Sequence, residues 1–348
     1  MSDVSEFRSR AIADRLIGIS ISYERDNLLS RGLGIEHLRE LLLRLSRPLL
    51  RHSGSLAYGG HWQDTEDNFT FELLRLVSAE RLDTSAGDNG GTPQTVGQLF
   101  CYSAWPRHYK ISKSMEAQWM NCCRVLRISQ SRAGLKQKDQ LPKADPDKMT
   151  PEDRDKIVPR LAFNSAVTLS AMRRISMEGW YLTAADVAQE QVPPISARIV
   201  LGGKLTDYSG FAPGIFEEAL VTMEARKPLY LLGGFGGATE VLAKAITDTT
   251  MPPEMALGWH LRHTPKLKSL DESAKKFGMP KNCRSTEEIF DALAKQIREA
   301  RADPAGVLNT GLDDAQTREL LQTRSIDSAV YLVFSGFVQH NKLPDIAV

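Results

Sequence analysis

The chain is poor in cysteine: four occur among 348 residues, Cys101, Cys122, Cys123 and Cys283, with no C-x-x-C spacing. That composition argues against a disulfide scaffold and offers no thiol pair for a structural zinc. The four read as reduced core thiols, with adjacent Cys122 and Cys123 in a helix-like stretch. An excess of either charge is missing too, since 44 Lys and Arg stand against 43 Asp and Glu, a net charge of +1. A protein that holds a nucleic-acid backbone carries a basic surplus or stripe, so nucleic acid is disfavoured as a partner. Long apolar runs are also absent. No segment approaches the roughly 18 residues of a membrane span, and the opening MSDVSEFRSRAIADR breaks every short window with charge, unlike a signal peptide. The expectation is a cytoplasmic protein with no membrane partner. Two phosphate signatures are lacking as well: no G-x-G-x-x-G follows the first strand and no G-x-x-x-x-G-K-[ST] occurs. Their absence disfavours the usual dinucleotide fingerprint and the P-loop.

What is present is a folded composition, 42% apolar and 25% charged, far from the regime of disorder. Five short strands are expected, at 16–22 (LIGISIS), 55–58, 99–104, 197–201 and 228–232. Ile35, Leu38, Leu41, Leu42, Leu45 and Leu49 fall at helical spacing, and Ser53-Gly54 stops that helix. Further helices are expected over 69–80, from Met115 to about Ile128, and over 162–180, 213–226, 238–246, 286–302 and 313–321, while the apolar run 329–337 is ambiguous. Residues 81–98 read as a loop, and 129–160 as an exposed polar insertion, because LKQKDQLPKADPDKMTPEDRDK holds three prolines and few apolar residues. Strand, helix and strand with such crossovers make parallel, right-handed βαβ units. The fold class expected is therefore α/β, a Rossmann-like parallel sheet over residues 1–250, with a helical extension over 251–348 packed on that core.

Three of the five strands run into a doubled glycine: Gly59-Gly60, Gly202-Gly203 and Gly233-Gly234. In an open parallel sheet ligands bind in the crevice outside the carboxyl ends of the strands. Glycine there lets a ligand touch the backbone, and the helix N-termini that follow favour an anion. A phosphate or ribose-phosphate ligand fits this pattern, although glycine after a strand also serves simply to turn the chain.

These residues resemble the SLOG superfamily, named for the Smf/DprA and LOG proteins. LOG proteins carry a strand ending in Y-G-G, an R-K-x-x-M helix and P-G-G-x-G-T-x-E-E. Tyr58-Gly59-Gly60 is similar to the first, and Arg173-Arg174-Ile175-Ser176-Met177 to the second. The third looks split, as Gly202-Gly203, an insertion 204–212, then Pro213-Gly214-Ile215-Phe216-Glu217-Glu218. A competing alignment places it at Gly233-Gly234-Phe235-Gly236-Gly237-Ala238-Thr239-Glu240. LOG proteins are phosphoribohydrolases, and that resemblance would give Arg173 a phosphate or developing charge to neutralise and Glu218 an oxocarbenium-like ribose to stabilise. Ile215 replaces the motif threonine and the glycines are separated, so the resemblance points to the branch of SLOG domains that bind NAD- or ADP-ribose-related nucleotides as sensors, some of them in bacterial antiphage defence. A LOG-like N-glycosidase is the alternative and a DprA-like nucleic-acid binder the second alternative.

The candidate ligand-binding set is Ser20, Ser22, Glu24, Arg25, Gly59, Gly60, Trp105, Arg107, Arg173, Gly202, Gly203, Lys204, Gly214, Glu217, Glu218, Gly233 and Gly234. No catalytic residue is assigned, Arg173 and Glu218 being the pair for a hydrolase. Ordinary explanations stand beside each: carboxylates early in a helix offset its dipole, paired arginines on a helix are often solvated, and strand-end aromatics are often packed. His61 is a lone histidine after Gly60, and His260 with His263 lacks a third ligand, so neither metal nor cofactor is expected. A sensor without an appended effector module would act through a partner chain or by self-assembly as a homo-oligomer.

Overall fold

Six parallel strands form one sheet in the computed structural model, which describes residues 12–63, 65, 68–86, 97–142, 150–180 and 191–341. They are β1 (Leu16–Ser22), β2 (Ser55–Tyr58), β3 (Leu99–Ala104), β4 (Cys123–Ile128), β5 (Ala197–Gly202) and β6 (Leu229–Leu232), in the spatial order β4-β3-β2-β1-β5-β6. The helices in chain order are α1 (Arg25–Leu29), α2 (Ile35–Arg51), α3 (Thr70–Ala86), α4 (Lys113–Trp119), α5 (Pro151–Glu178), α6 (Gly214–Glu224) and α7 (Gly237–Thr247). There follow α8 (Leu257–His263), α9 (Lys266–Phe277), α10 (Thr286–Ala302), α11 (Pro304–Leu308), α12 (Asp314–Gln322) and α13 (Ile326–His340). Among the described residues no helix is long and apolar enough to cross a membrane.

Strand order reverses beside β1, which pairs with β2 on one side and with β5 on the other. Such a switch point leaves a crevice at the strand ends, because the loops leaving the two neighbours travel to opposite faces. The period of two divides each strand between two cores. Ile17, Ile19 and Ile21 pack under α2 and α3, while Leu229 and Leu231 pack against the opposite layer of α5, α6, α7 and α10. Both faces are covered, which is why these strands read as near-continuous apolar runs. The C-terminal helices contribute to both cores: Leu293 and Ile297 to one, and Leu332, Val333 and Phe337 to the other. Phe337 lies 4.9 Å from the Tyr230 ring, and Tyr230 Oη donates to the carbonyl of Thr310 at 3.1 Å.

Four expectations need correction. Residues 115–128 are not one helix; α4 ends at Trp119, Cys122 sits in the turn, and Cys123–Ile128 is the edge strand β4, paired from Leu99↔Cys123 to Ala104↔Ile128. Its spacing of apolar residues suits a helix as well as a half-exposed strand, and only pairing with β3 decides. The polar segment from 129 is not wholly exposed where it is described, although Lys136, Gln137 and Lys138 are. Gln130 is buried, its Oε1 accepting from Leu141 N at 2.9 Å and from Asn164 Nδ2 at 2.7 Å, while Ala133 and Leu135 enter the core. Polar side chains here satisfy one another and a loop backbone, which composition alone does not reveal. Helix α5 starts at Pro151 rather than Ala162, and 143–149 lie outside the described residues. The expected loop 81–98 begins later, since α3 runs to Ala86, and 87–96 lie outside the described residues. The ambiguous run 329–337 is helical, within α13.

Candidate functional site

A cavity of 260 Å³ opens at the switch point. Strand β1 supplies Ser20, Ser22 and the following Tyr23; β2 delivers Tyr58, Gly59 and Gly60; the turn after β3 presents Arg107. Arg173 comes from α5, Gly214, Ile215 and Glu218 from the first turns of α6, and Lys204, Asp207, Tyr208 and Ser209 from the loop between β5 and α6. Carboxyl ends of parallel strands converge on one rim, so residues far apart in the chain meet there without any long loop.

The floor is a closed charge network. Arg173 is ion-paired with Glu217, both side chains under a tenth exposed, and its Nε lies 3.6 Å from Glu218 Oε1. Arg198, a charge inside the otherwise apolar β5, reaches Glu218 Oε2 at 3.7 Å. It is anchored by hydrogen bonds to Ser20 Oγ at 2.9 Å, Thr222 Oγ1 at 2.9 Å and Ser176 Oγ at 3.2 Å. Burial alone would lower the pKa of Arg173, but Glu217 and Glu218 outweigh it and raise the value. Arg198 stays below the ordinary value because of burial, only partly offset by Glu218 and made worse by Arg173. Two guanidinium groups, one of them also paired with Glu217, therefore hold Glu218 in place at the bottom of the cavity.

A family model described as SLOG cluster2 matches residues 11–320. The chain belongs to the SLOG cluster2 family. No curated protein matches the sequence. A SLOG domain is a nucleotide-related binding or processing domain on a Rossmann-like fold, and the switch-point cavity lies where such a fold takes its ligand.

Of the residues singled out from the sequence, nine line the SLOG cavity: Ser20, Ser22, Gly59, Gly60, Arg107, Arg173, Lys204, Gly214 and Glu218. Glu217 lies behind it as the partner of Arg173. Glu24 accepts from Leu205 N at 3.4 Å and so braces the base of the β5–α6 loop; burial raises its pKa. Arg25 is exposed at the start of α1, outside the lining. Trp105 is fully buried in the core rather than at the rim, its carbonyl accepting from Thr168 Oγ1 at 2.7 Å. The idea that all three doubled glycines border one cleft does not hold in the fold. Gly202 and Gly203 have positive φ of 65° and 104°, and a side chain on Gly203 would overlap Ile215, so they permit close packing where β5 crosses Ser22 and α7. Gly233 and Gly234 lie under α12, against the carbonyls of Leu321 and Thr323. Of the two motif alignments, the one through Gly214 brings its glutamates to Arg173, whereas Glu240 pairs with Arg31 and with Lys244.

Sequence reading missed Asn68, Leu169, Asp207, Tyr208 and Ser209 in the lining, and Arg198 beneath it. Asp207 to Ser209 fall within the segment 204–212, which was visible as an insertion but not as a wall. A signal existed for Arg198, since a lone arginine in the buried strand A-R-I-V-L demands a partner. Asn68 holds the turn after Gly60, its Nδ2 donating to the His61 carbonyl at 2.8 Å and its Oδ1 accepting from Thr70 N at 3.0 Å. Tyr208 is backed by the buried His260, ring centroids 5.8 Å apart.

His108, beside Arg107, is buried, and burial with the added charge of Arg127 lowers its pKa from 6.5 to about 4. Between those values the unfolded chain takes up a proton that the folded chain refuses, so stability falls as pH drops through that window and is unaffected above it. Unfolding midpoints measured from pH 7 to pH 4 are expected to decline, this group contributing at most about 1.4 kcal/mol per pH unit. His108→Gln should flatten that part of the profile; an unchanged slope would remove His108 from the account.

Proposed function

We propose that this cavity binds a nucleotide-derived small molecule, related to NAD or ADP-ribose, and that the protein acts as its sensor. The supporting observation is Glu218, held at the cavity floor by Arg173 and Arg198 beneath walls that include Tyr23, Tyr58 and Tyr208. A fixed carboxylate accepts hydrogen bonds from ribose hydroxyls, and aromatic rings offer faces for a base. The volume of 260 Å³ lies just below the usual range of ligand sites, about 300–1,000 Å³. It therefore suits one nucleotide unit inside, with any remainder of a larger ligand leaving through the open mouth. Output through a partner chain or self-assembly, in bacterial antiphage defence, belongs to the same proposal.

The approach of Arg173 to Glu218 inside the cavity also favours a second reading, a LOG-like N-glycosidase, because a carboxylate there can stabilise an oxocarbenium-like centre. Calorimetric titration and chromatography after incubation with AMP, NAD and ADP-ribose separate the two. For a sensor, Glu218→Gln weakens affinity by about 1.5–3 kcal/mol, typical of a charged hydrogen bond, and neither form releases base. Base release by the unaltered protein, lost in Glu218→Gln while binding survives, would establish the hydrolase instead.

A further inference from the structure

The cations at the cavity are not equivalent. Arg173 and Arg198 are matched by Glu217 and Glu218. Arg107 is matched by no acid among the described residues: its one hydrogen bond runs from Nη2 to Ser209 Oγ at 3.1 Å, and it stands exposed to solvent at the mouth. The Ser209 hydroxyl accepts from Arg107, which leaves its own proton free to be donated elsewhere. Lys266, opening α9, stands beside the same loop with Nζ 6.0 Å from the Tyr208 ring. It is attracted by Asp207 and repelled by Arg107. The surrounding protein lowers the pKa of Arg107, and the charge of Arg173 lowers it further. For Lys266 the partial loss of hydration beside the loop is the larger cause of a lowered pKa, and Asp207 offsets it only in part. Arg107 thus lines the mouth, and Lys266, from a different element, stands behind it with Asp207 as the carboxylate that attracts it.

We propose that Arg107 and Ser209, with Lys266 behind them, form a phosphoryl-binding subsite at the cavity mouth. The ligand then lies with its sugar toward Glu218 and its mono- or diphosphate at Arg107. An anion there relieves repulsion among Arg107, Arg173 and Lys266, and a guanidinium offers two parallel donors to phosphoryl oxygens. The inference rests on the nucleotide reading for the orientation only. It also moves the phosphate role from Arg173, which is already paired, to a residue outside all three resembled motifs.

The test uses the full chain. Thermal unfolding with inorganic pyrophosphate is read for the unaltered protein, Arg107→Ala, Arg107→Gln, and Lys295→Ala as a distant exposed control. Calorimetric titration then compares adenosine, AMP and ADP-ribose. Pyrophosphate is expected to raise the midpoint of the unaltered protein and of Lys295→Ala, but not of either Arg107 variant, whose own midpoints stay near the starting value because no ion pair is lost. AMP should bind about 10- to 100-fold more tightly than adenosine, the range of one charged hydrogen bond, and Arg107→Ala should erase that preference while adenosine affinity holds. A further gain for ADP-ribose over AMP, also lost in Arg107→Ala, identifies a diphosphate at the subsite; equal affinities identify a single phosphate. No pyrophosphate effect on the unaltered protein, an equal effect on Arg107→Ala, or a surviving AMP preference overturns the subsite. A pyrophosphate effect that depends on Arg107 without binding of any nucleoside or nucleotide upholds the subsite and overturns the nucleotide reading instead.

Discussion

Arg173→Ala is expected to cost the fold about 3–5 kcal/mol, well beyond a loss of ligand contact, because it strands a buried carboxylate. Glu217 is almost fully buried and is ion-paired with Arg173, and Glu218 depends on the same guanidinium. Whole domains are stable by only about 5–15 kcal/mol, so the variant should melt far earlier or fail to accumulate. Removing both charges with well-packed apolar side chains, Arg173→Met with Glu217→Leu, should recover much of the loss, since the penalty comes from the unmatched partner. Denaturant midpoints of the three proteins decide the point. A single variant with an unaltered midpoint and no ligand binding would make Arg173 a ligand contact and the network incidental.

Gly234→Val should remove folding and binding together. Any side chain at this position would overlap the carbonyl oxygens of Thr323 and Gln322, which are backbone atoms at the end of α12 and cannot rotate aside. Overpacking a core usually costs about 1–3 kcal/mol, and a clash with fixed backbone lies at or above the top of that range. Displacing α12 would also disturb Leu320 and Leu321, which sit in the two cores. Were Gly234 part of the ligand rim, binding would vanish while the melting curve stayed in place. Calorimetry on a variant that still melts like the parent would restore that reading.

Five of the six strands are legible in the sequence because each is a short apolar or β-branched run bounded by polar or turn residues, as Leu16–Ser22, followed by Tyr23-Glu24-Arg25, and Leu229–Leu232, between Pro228 and Gly233, show. The helix over Ile35–Arg51 is legible from its spacing alone, and the chain turns out of it at Ser53, whose φ is +62°. Strand β4 is not legible: Cys123-Arg124-Val125-Leu126-Arg127-Ile128 is an edge with one half-buried face, and its identity depends on hydrogen bonds to Leu99–Ala104. In the site, Tyr58-Gly59-Gly60, Arg173 and Glu218 stand out through motif resemblance, and all five line the cavity.

Periodicity and turn chemistry are properties of neighbouring residues, so the chain's own order specifies most elements and hence the parallel sheet with its switch point. Charge and burial are properties of space. Whether Arg173 is free or bound depends on Glu217, 44 residues away, and whether Gly234 borders a ligand or a helix depends on Thr323, near the other end of the chain. The same holds for Arg107, which is just an arginine after a strand until Ser209 and Lys266 are brought beside it. Only the tertiary structure decides those pairings, because Coulomb interactions and desolvation follow distance through the fold and not separation along the sequence.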